Sequence, residues 1–148
     1  MKYFMDCFVR TIFFISLAAL IGCAMHPKTT INMELDNLDH EAFMSRYEEI
    51  EGTILRQLQF TVVPFYENGR KSLRLDKEGY LQSKLKLKED EDITINLKGS
   101  QKGDQIIIEY TEKSRREQEG YSVLGQKKYN QLLKIINAQF TKVTILPN

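Results

Sequence analysis

The spacing of hydrophobic residues changes character along the chain, and each change predicts a different element. Residues 11–22 form an almost unbroken apolar run, Thr-Ile-Phe-Phe-Ile-Ser-Leu-Ala-Ala-Leu-Ile-Gly. Residues 24–34 (AMHPKTTINME) have no apolar periodicity and contain Pro27, which reads as a tether. Such a stretch extends at most ~35–40 Å. From Leu35 the apolar residues fall at 35, 38, 42, 43, 47, 50 and 54, the three-four spacing of one helical face. Asp36 or Asp39 suits the N-cap, and Gly52 marks the end of the helix or a weak point within it. The pattern leaves open whether residues 53–58 are helix or strand.

The period then shortens to two. Phe60-Thr-Val-Val is rich in strand formers, and Pro64 confines that segment to a sheet edge or a bulge. Asn68-Gly69 is a two-residue hairpin signal, followed by a return strand over 71–75 and a turn at 76–79. Residues 80–88 alternate most cleanly, with Leu81, Ser83, Leu85 and Leu87 on one face and Gln82, Lys84, Lys86 and Lys88 on the other. That is an antiparallel strand with one wet side. Residues 89–92 make a turn, and Ile93, Ile95 and Leu97 then point inward. A turn at 99–103 precedes a strand over 105–111. Residues 112–120 read as a charged, mobile loop and 121–124 as a short strand. Helical spacing returns over 126–138 through Tyr129, Leu132, Leu133 and Ile136, with Phe140 on the same side. Val143 and Ile145 alternate before Pro147. The predicted class is α+β: an N-terminal helix, an antiparallel meander of about five strands, a C-terminal helix and a final strand. The outline is similar to cystatin-like and lipid-carrier folds, a likeness that implies no activity.

The apolar run at 11–22 is different in kind. It follows Lys2 and Arg10, and only fifteen residues separate Arg10 from His26-Pro27-Lys28. A membrane-spanning helix needs roughly 20, whereas a charged start and a short apolar stretch are the anatomy of a secretory signal. Asp6 is a mild departure from a purely basic start, and Met5 is a second candidate for the first residue. The run ends in Leu20-Ile21-Gly22-Cys23, which resembles the lipobox of bacterial lipoproteins at all four positions. The resemblance covers residues 1–23 only. It implies cleavage between Gly22 and Cys23, a diacylglycerol thioether on Cys23 and acylation of the freed amine. One acyl chain binds a bilayer only reversibly, and two or three make attachment effectively permanent. By the same family rule, Ala24 in place of Asp implies the outer membrane, facing the periplasm, in a Gram-negative cell. The expected organisation is a signal peptide at 1–22, a lipidated cysteine and tether at 23–34, and one domain at 35–148.

Composition narrows the function classes. The two cysteines are Cys7, inside the signal, and Cys23, so no disulfide is available to the mature domain. Lys2, Asp6 and Arg10 are the charges before Cys23, which leaves nineteen basic and nineteen acidic residues after it. A nucleic-acid binder normally shows a basic excess; none is expected here.

Catalytic patterns are sparse. His26 and His40 are the only histidines, too few for a multi-histidine metal site, and no G-x-S-x-G turn presents a serine. The acidic turn 89–92 lacks the spacing of a calcium loop, and 99–103 lacks the G-K-[ST] ending of a phosphate loop. Glu48, Glu49 and Glu51 sit on an acidic helix with no evident partner for acid–base work. No enzyme activity and no cofactor is expected. The basic residues are more suggestive. Arg70, Lys71 and Arg74 share a hairpin, and Lys84, Lys86 and Lys88 share a strand face, a surface suited to anionic headgroups or to an acidic protein partner. The expectation is a membrane-anchored, non-enzymatic interaction module: an envelope accessory subunit, or an inhibitor or immunity factor. The alternative is a carrier for a lipid or other apolar ligand, with Phe43, Phe60, Phe65, Tyr110 and Phe140 lining a cavity between helix and sheet.

Overall fold

The computed structural model describes residues 26–67, 70–72, 74–75, 80–113 and 120–147, with the backbone alone at 65–67, 70–72, 74–75, 80 and 147. The chain runs β1 (Lys28–Glu34), α1 (His40–Gln57), β2 (Phe60–Val62), β3 (Phe65–Glu67), β4 (Arg70–Ser72), β5 (Arg74–Leu75), β6 (Tyr80–Leu87), β7 (Ile93–Ser100), β8 (Gln105–Glu112), α2 (Val123–Gln139) and β9 (Val143–Pro147). The class is α+β. The main sheet has the order β2-β6-β7-β8-β1-β9, every pair antiparallel, and β5 extends the β2 edge along β6. β3 and β4 form a separate hairpin in which Glu67 pairs with Arg70, the register expected of a two-residue turn at 68–69.

Alternation decides which side of the sheet is dry. Leu85 and Leu87 of β6, Ile93, Ile95 and Leu97 of β7, and Ile106, Ile108 and Tyr110 of β8 are fully buried on one face. Register puts them side by side: Ile95 opposes Tyr110 and Leu97 opposes Ile108. Both helices cover this face. Phe43, Tyr47, Ile50 and Ile54 of α1 and Leu132 and Ile136 of α2 complete the core. The helices are antiparallel: Arg46, early in α1, donates to the Gln139 carbonyl at 3.0 Å, while Lys128, early in α2, reaches the Leu58 carbonyl at the end of α1.

Several boundaries differ from the sequence reading. The stretch read as a tether becomes β1 from Lys28 onward and lies inside the sheet, between β8 and β9. Thr29, Ile31 and Met33 are buried in strict alternation, and the Tyr121 hydroxyl donates to Thr29 Oγ1 at 2.8 Å. α1 starts at His40 with Asp39 as its cap, and it runs through Gly52 to Gln57, so residues 53–57 are helix. It stops where Gln59 takes a left-handed conformation, φ 62°. Gly99 is not a turn residue, because β7 continues to Ser100 and the turn is at 101–104. Residues 121–124 form no strand. Ser122 caps α2 by accepting from Gly125 N at 3.0 Å, and the helix begins at Val123. Glu112, read as loop, is the last residue of β8 and is buried. The rest of that loop and the turn at 76–79 fall largely outside the described residues.

Candidate functional site

Among the described residues, no helix covers the other face of the sheet. Its positions are the outward half of each alternating strand: Thr61 on β2, Lys84 and Lys86 on β6, Thr94, Asn96 and Lys98 on β7, Ile107, Glu109 and Thr111 on β8, and Lys28, Thr30 and Asn32 on β1. All are half-buried. Four lysines therefore share one surface with a single central carboxylate, Glu109, and with Glu34 at one end of β1.

Glu109 organises the middle of this face. Lys98 Nζ lies 2.9 Å from one of its oxygens and Lys28 Nζ 3.3 Å from the other, with Asn96 Nδ2 also donating. Partial burial pushes the Glu109 carboxyl up, but the hydrogen bonds and charges of Lys98 and Lys28 outweigh it and hold the group below its ordinary value. Lys86 pairs with Glu91 of the β6–β7 turn. Lys84 has no ion-pair partner among the described residues. Against Lys28, Lys84, Lys86 and Lys98 the described residues set Glu109, Glu34 and, from the turn, Glu91, so the face keeps a small positive excess centred on Lys84.

Of the basic residues singled out in the sequence, Lys84 and Lys86 lie on this face. Lys88 stands just past the end of β6, exposed, its N–H donating to the Gln59 carbonyl. Arg70 and Lys71 are in β4, and Arg74 in β5 pairs with Gln82; the side chains of all three are outside the described residues. Lys98 and Lys28 were missed. The alternation of β7 carries the signal for Lys98, whereas reading residues 24–34 as tether hid Lys28. Gly22 and Cys23 lie outside the described residues.

Of the remaining candidates, His40, Glu49 and the aromatic residues have structural partners, whereas Glu51 Oε1 is buried without a hydrogen bond to any described residue. His40 Nδ1 is 2.9 Å from Gln101 Oε1 on the exposed surface, and Arg46 forms an ion pair with Glu49 at 2.8 Å. Phe43, Phe60, Tyr110 and Phe140 belong to the packed core, with the Tyr110 hydroxyl donating to the Gly125 carbonyl at 2.8 Å. Burial drives the Tyr47 and Tyr110 hydroxyls well above their ordinary range and raises that of Tyr121. Among the described residues no group of His, Cys, Asp and Glu is placed to hold a metal ion. No helix among them is long and apolar enough to cross a membrane. The chain matches no protein family, no curated protein and no solved structure.

Proposed function

We propose that this chain is a lipid-anchored protein of the bacterial cell envelope whose domain is a non-enzymatic docking module, serving as an accessory subunit of an envelope assembly or as an inhibitor or immunity factor. The lipobox-like Leu20-Ile21-Gly22-Cys23 supports the anchor, with Cys23 as the lipidated residue and the outer membrane, facing the periplasm, as the site in a Gram-negative cell. The observation that supports the docking role is the sheet face that no described helix covers, where Lys28 and Lys98 pair with Glu109 and Lys84 and Lys86 stand on the neighbouring strand. A rigid antiparallel sheet holds these cations at fixed spacing, which favours a folded acidic partner and speeds its approach.

The test is crosslinking in intact cells, recovery of the lipidated protein and mass spectrometry of its adducts, run on the wild type and on a Lys84→Glu, Lys86→Glu, Lys98→Glu variant. One dominant protein adduct that disappears in the variant supports the reading. An adduct that survives unchanged removes this face from the interaction, and recovery with lipid alone turns the reading toward a carrier.

A further inference from the structure

We infer that β9 is a dimer edge, which pairs antiparallel with β9 of a second copy of this chain. β9 closes one side of the sheet and pairs with β1 alone. The phase of the hydrogen bonds decides which of its backbone groups are left over. Along β1 the odd residues bond β8: the Leu35 N–H donates to the Asp104 carbonyl at 2.6 Å, and the Pro27 carbonyl accepts the Glu112 N–H at 3.2 Å. The even residues bond β9, beginning with the Glu34 N–H to the Lys142 carbonyl at 3.2 Å. Opposed residues of an antiparallel ladder exchange both bonds or neither, in alternation. Thr144, opposite Asn32, and Leu146, opposite Thr30, therefore bond β1. The N–H and C=O groups of Val143 and Ile145 point away from the sheet, and no described residue pairs with them.

This edge lacks the features that keep sheet edges single. The opposite edge is made of short pieces, the three residues of β2 and the two of β5, and Pro64 follows β2. β9 has five residues and no charge. Ile145, on the helix face with Ile31, is 41% exposed, and Leu146, on the open face with Thr30, is 53% exposed. A copy of the same strand is the occupant because the leftover groups complement themselves. With Thr144 on a two-fold axis, Val143 of each copy stands opposite Ile145 of the other. Every outward N–H and C=O of these two residues is then paired, and the two apolar side chains meet on one face. Lys142 falls opposite Leu146, so no like charges oppose each other. Pro147, which has no N–H to give, lies outside the bonded pairs. The paired edge is small beside the ~1,200 Å² of a stable interface, so free copies associate weakly. The next step rests on the lipobox reading: copies anchored in one leaflet meet at an effective concentration far above that in solution. The axis is perpendicular to the sheet, so both β1 starts lie at one height along it. With that axis along the membrane normal, both anchors reach the same leaflet.

The test is disulfide trapping of the full-length, lipidated chain in native membranes. Across the axis Thr144 and its copy form a non-hydrogen-bonded pair, whose Cα atoms lie about 4.5 Å apart, within disulfide reach. The mature protein offers no other thiol once Cys23 is lipidated. After oxidation with copper phenanthroline, Thr144→Cys should run largely as a dimer of twice the chain's mass. The exposed Lys102→Cys, with β8 and β1 between it and β9, should stay monomeric. Ile145→Pro, added to Thr144→Cys, removes an outward N–H that β1 does not use, so trapping should fall several-fold while the fold stays. Circular dichroism checks the fold. Ile145→Glu, which keeps the N–H and sets a charge against Val143 of the copy, should give the same loss. A lipidated Thr144→Cys chain that remains monomeric overturns the pairing and leaves the anchor intact. A disulfide to a different protein overturns the second copy as occupant. An intact mass showing unmodified Cys23 overturns the anchor and, with no leaflet to concentrate the copies, the pairing that depends on it.

Discussion

Gly99 sits where α1 crosses β7, and its missing side chain sets the distance between helix and sheet. A Cβ there would lie 2.9 Å from both Phe43 Cζ and Tyr47 Cδ2. Both rings are buried and cannot swing away, so Gly99→Ala should cost ~1–3 kcal/mol, seen as a lower urea midpoint at unchanged slope. Tyr47 is held from the far side as well: its hydroxyl lies 2.9 Å from Ser83 Oγ and donates to the Leu97 carbonyl at 3.1 Å. Glu109 makes the clearest prediction about pH. Its folded-state pKa is below the ordinary 4.5, so its contribution is fully present above that value and is lost as pH falls through the lower folded value. Glu109→Gln should therefore destabilise by ~1 kcal/mol at neutral pH, and the gap to wild type should close as denaturant titrations are moved to acid.

At the scale of elements, the two helix starts obey the same local rule. Asp39 Oδ1 accepts from Ala42 N at 2.8 Å, and Ser122 Oγ accepts from Gly125 N at 3.0 Å. Ser122→Ala should cost ~1 kcal/mol, read as a lower thermal midpoint. Asp39 was legible only as one of two caps, beside Asp36, because the apolar spacing starts at Leu35 and does not choose between them. Ser122 was not, because Tyr121, Val123 and Leu124 around it imitate a strand. What holds α2 at that point is tertiary. The Glu112 carboxylate occupies the space a side chain at 125 would need, so a glycine there lets the helix start against β8. The end of α1 is likewise fixed from outside. Lys128, 7% exposed, donates to the Leu58 carbonyl at 3.1 Å, setting a cation against the negative end of a helix dipole. No local pattern within α1 could have announced that stop.

Across the whole molecule, β1 joins the two ends of the chain. It pairs with β8 in register Ile31 to Ile108 and with β9 in register Ile31 to Ile145. Removing residues 28–34 from the mature domain should abolish cooperative thermal unfolding, followed by circular dichroism, whereas removal of a mere tether would leave the transition unchanged. The sequence by itself determined the strands from 80 to 111, both helices and the α+β class, because periods of two and of three to four are written by neighbours in the chain. It also determined the lipobox-like signal, which depends on consecutive residues alone. Only the tertiary structure decided that residues 28–34 are an inner strand. That segment brings just Ile31 and Met33 as large apolar residues facing the core, and its third inward residue is a threonine satisfied by a tyrosine ninety-two positions away. Tertiary structure also decided which lysines act together. Lys28, Lys84, Lys86 and Lys98 come from three strands, and only strand order and register, set by burial of the opposite face, place them on one surface.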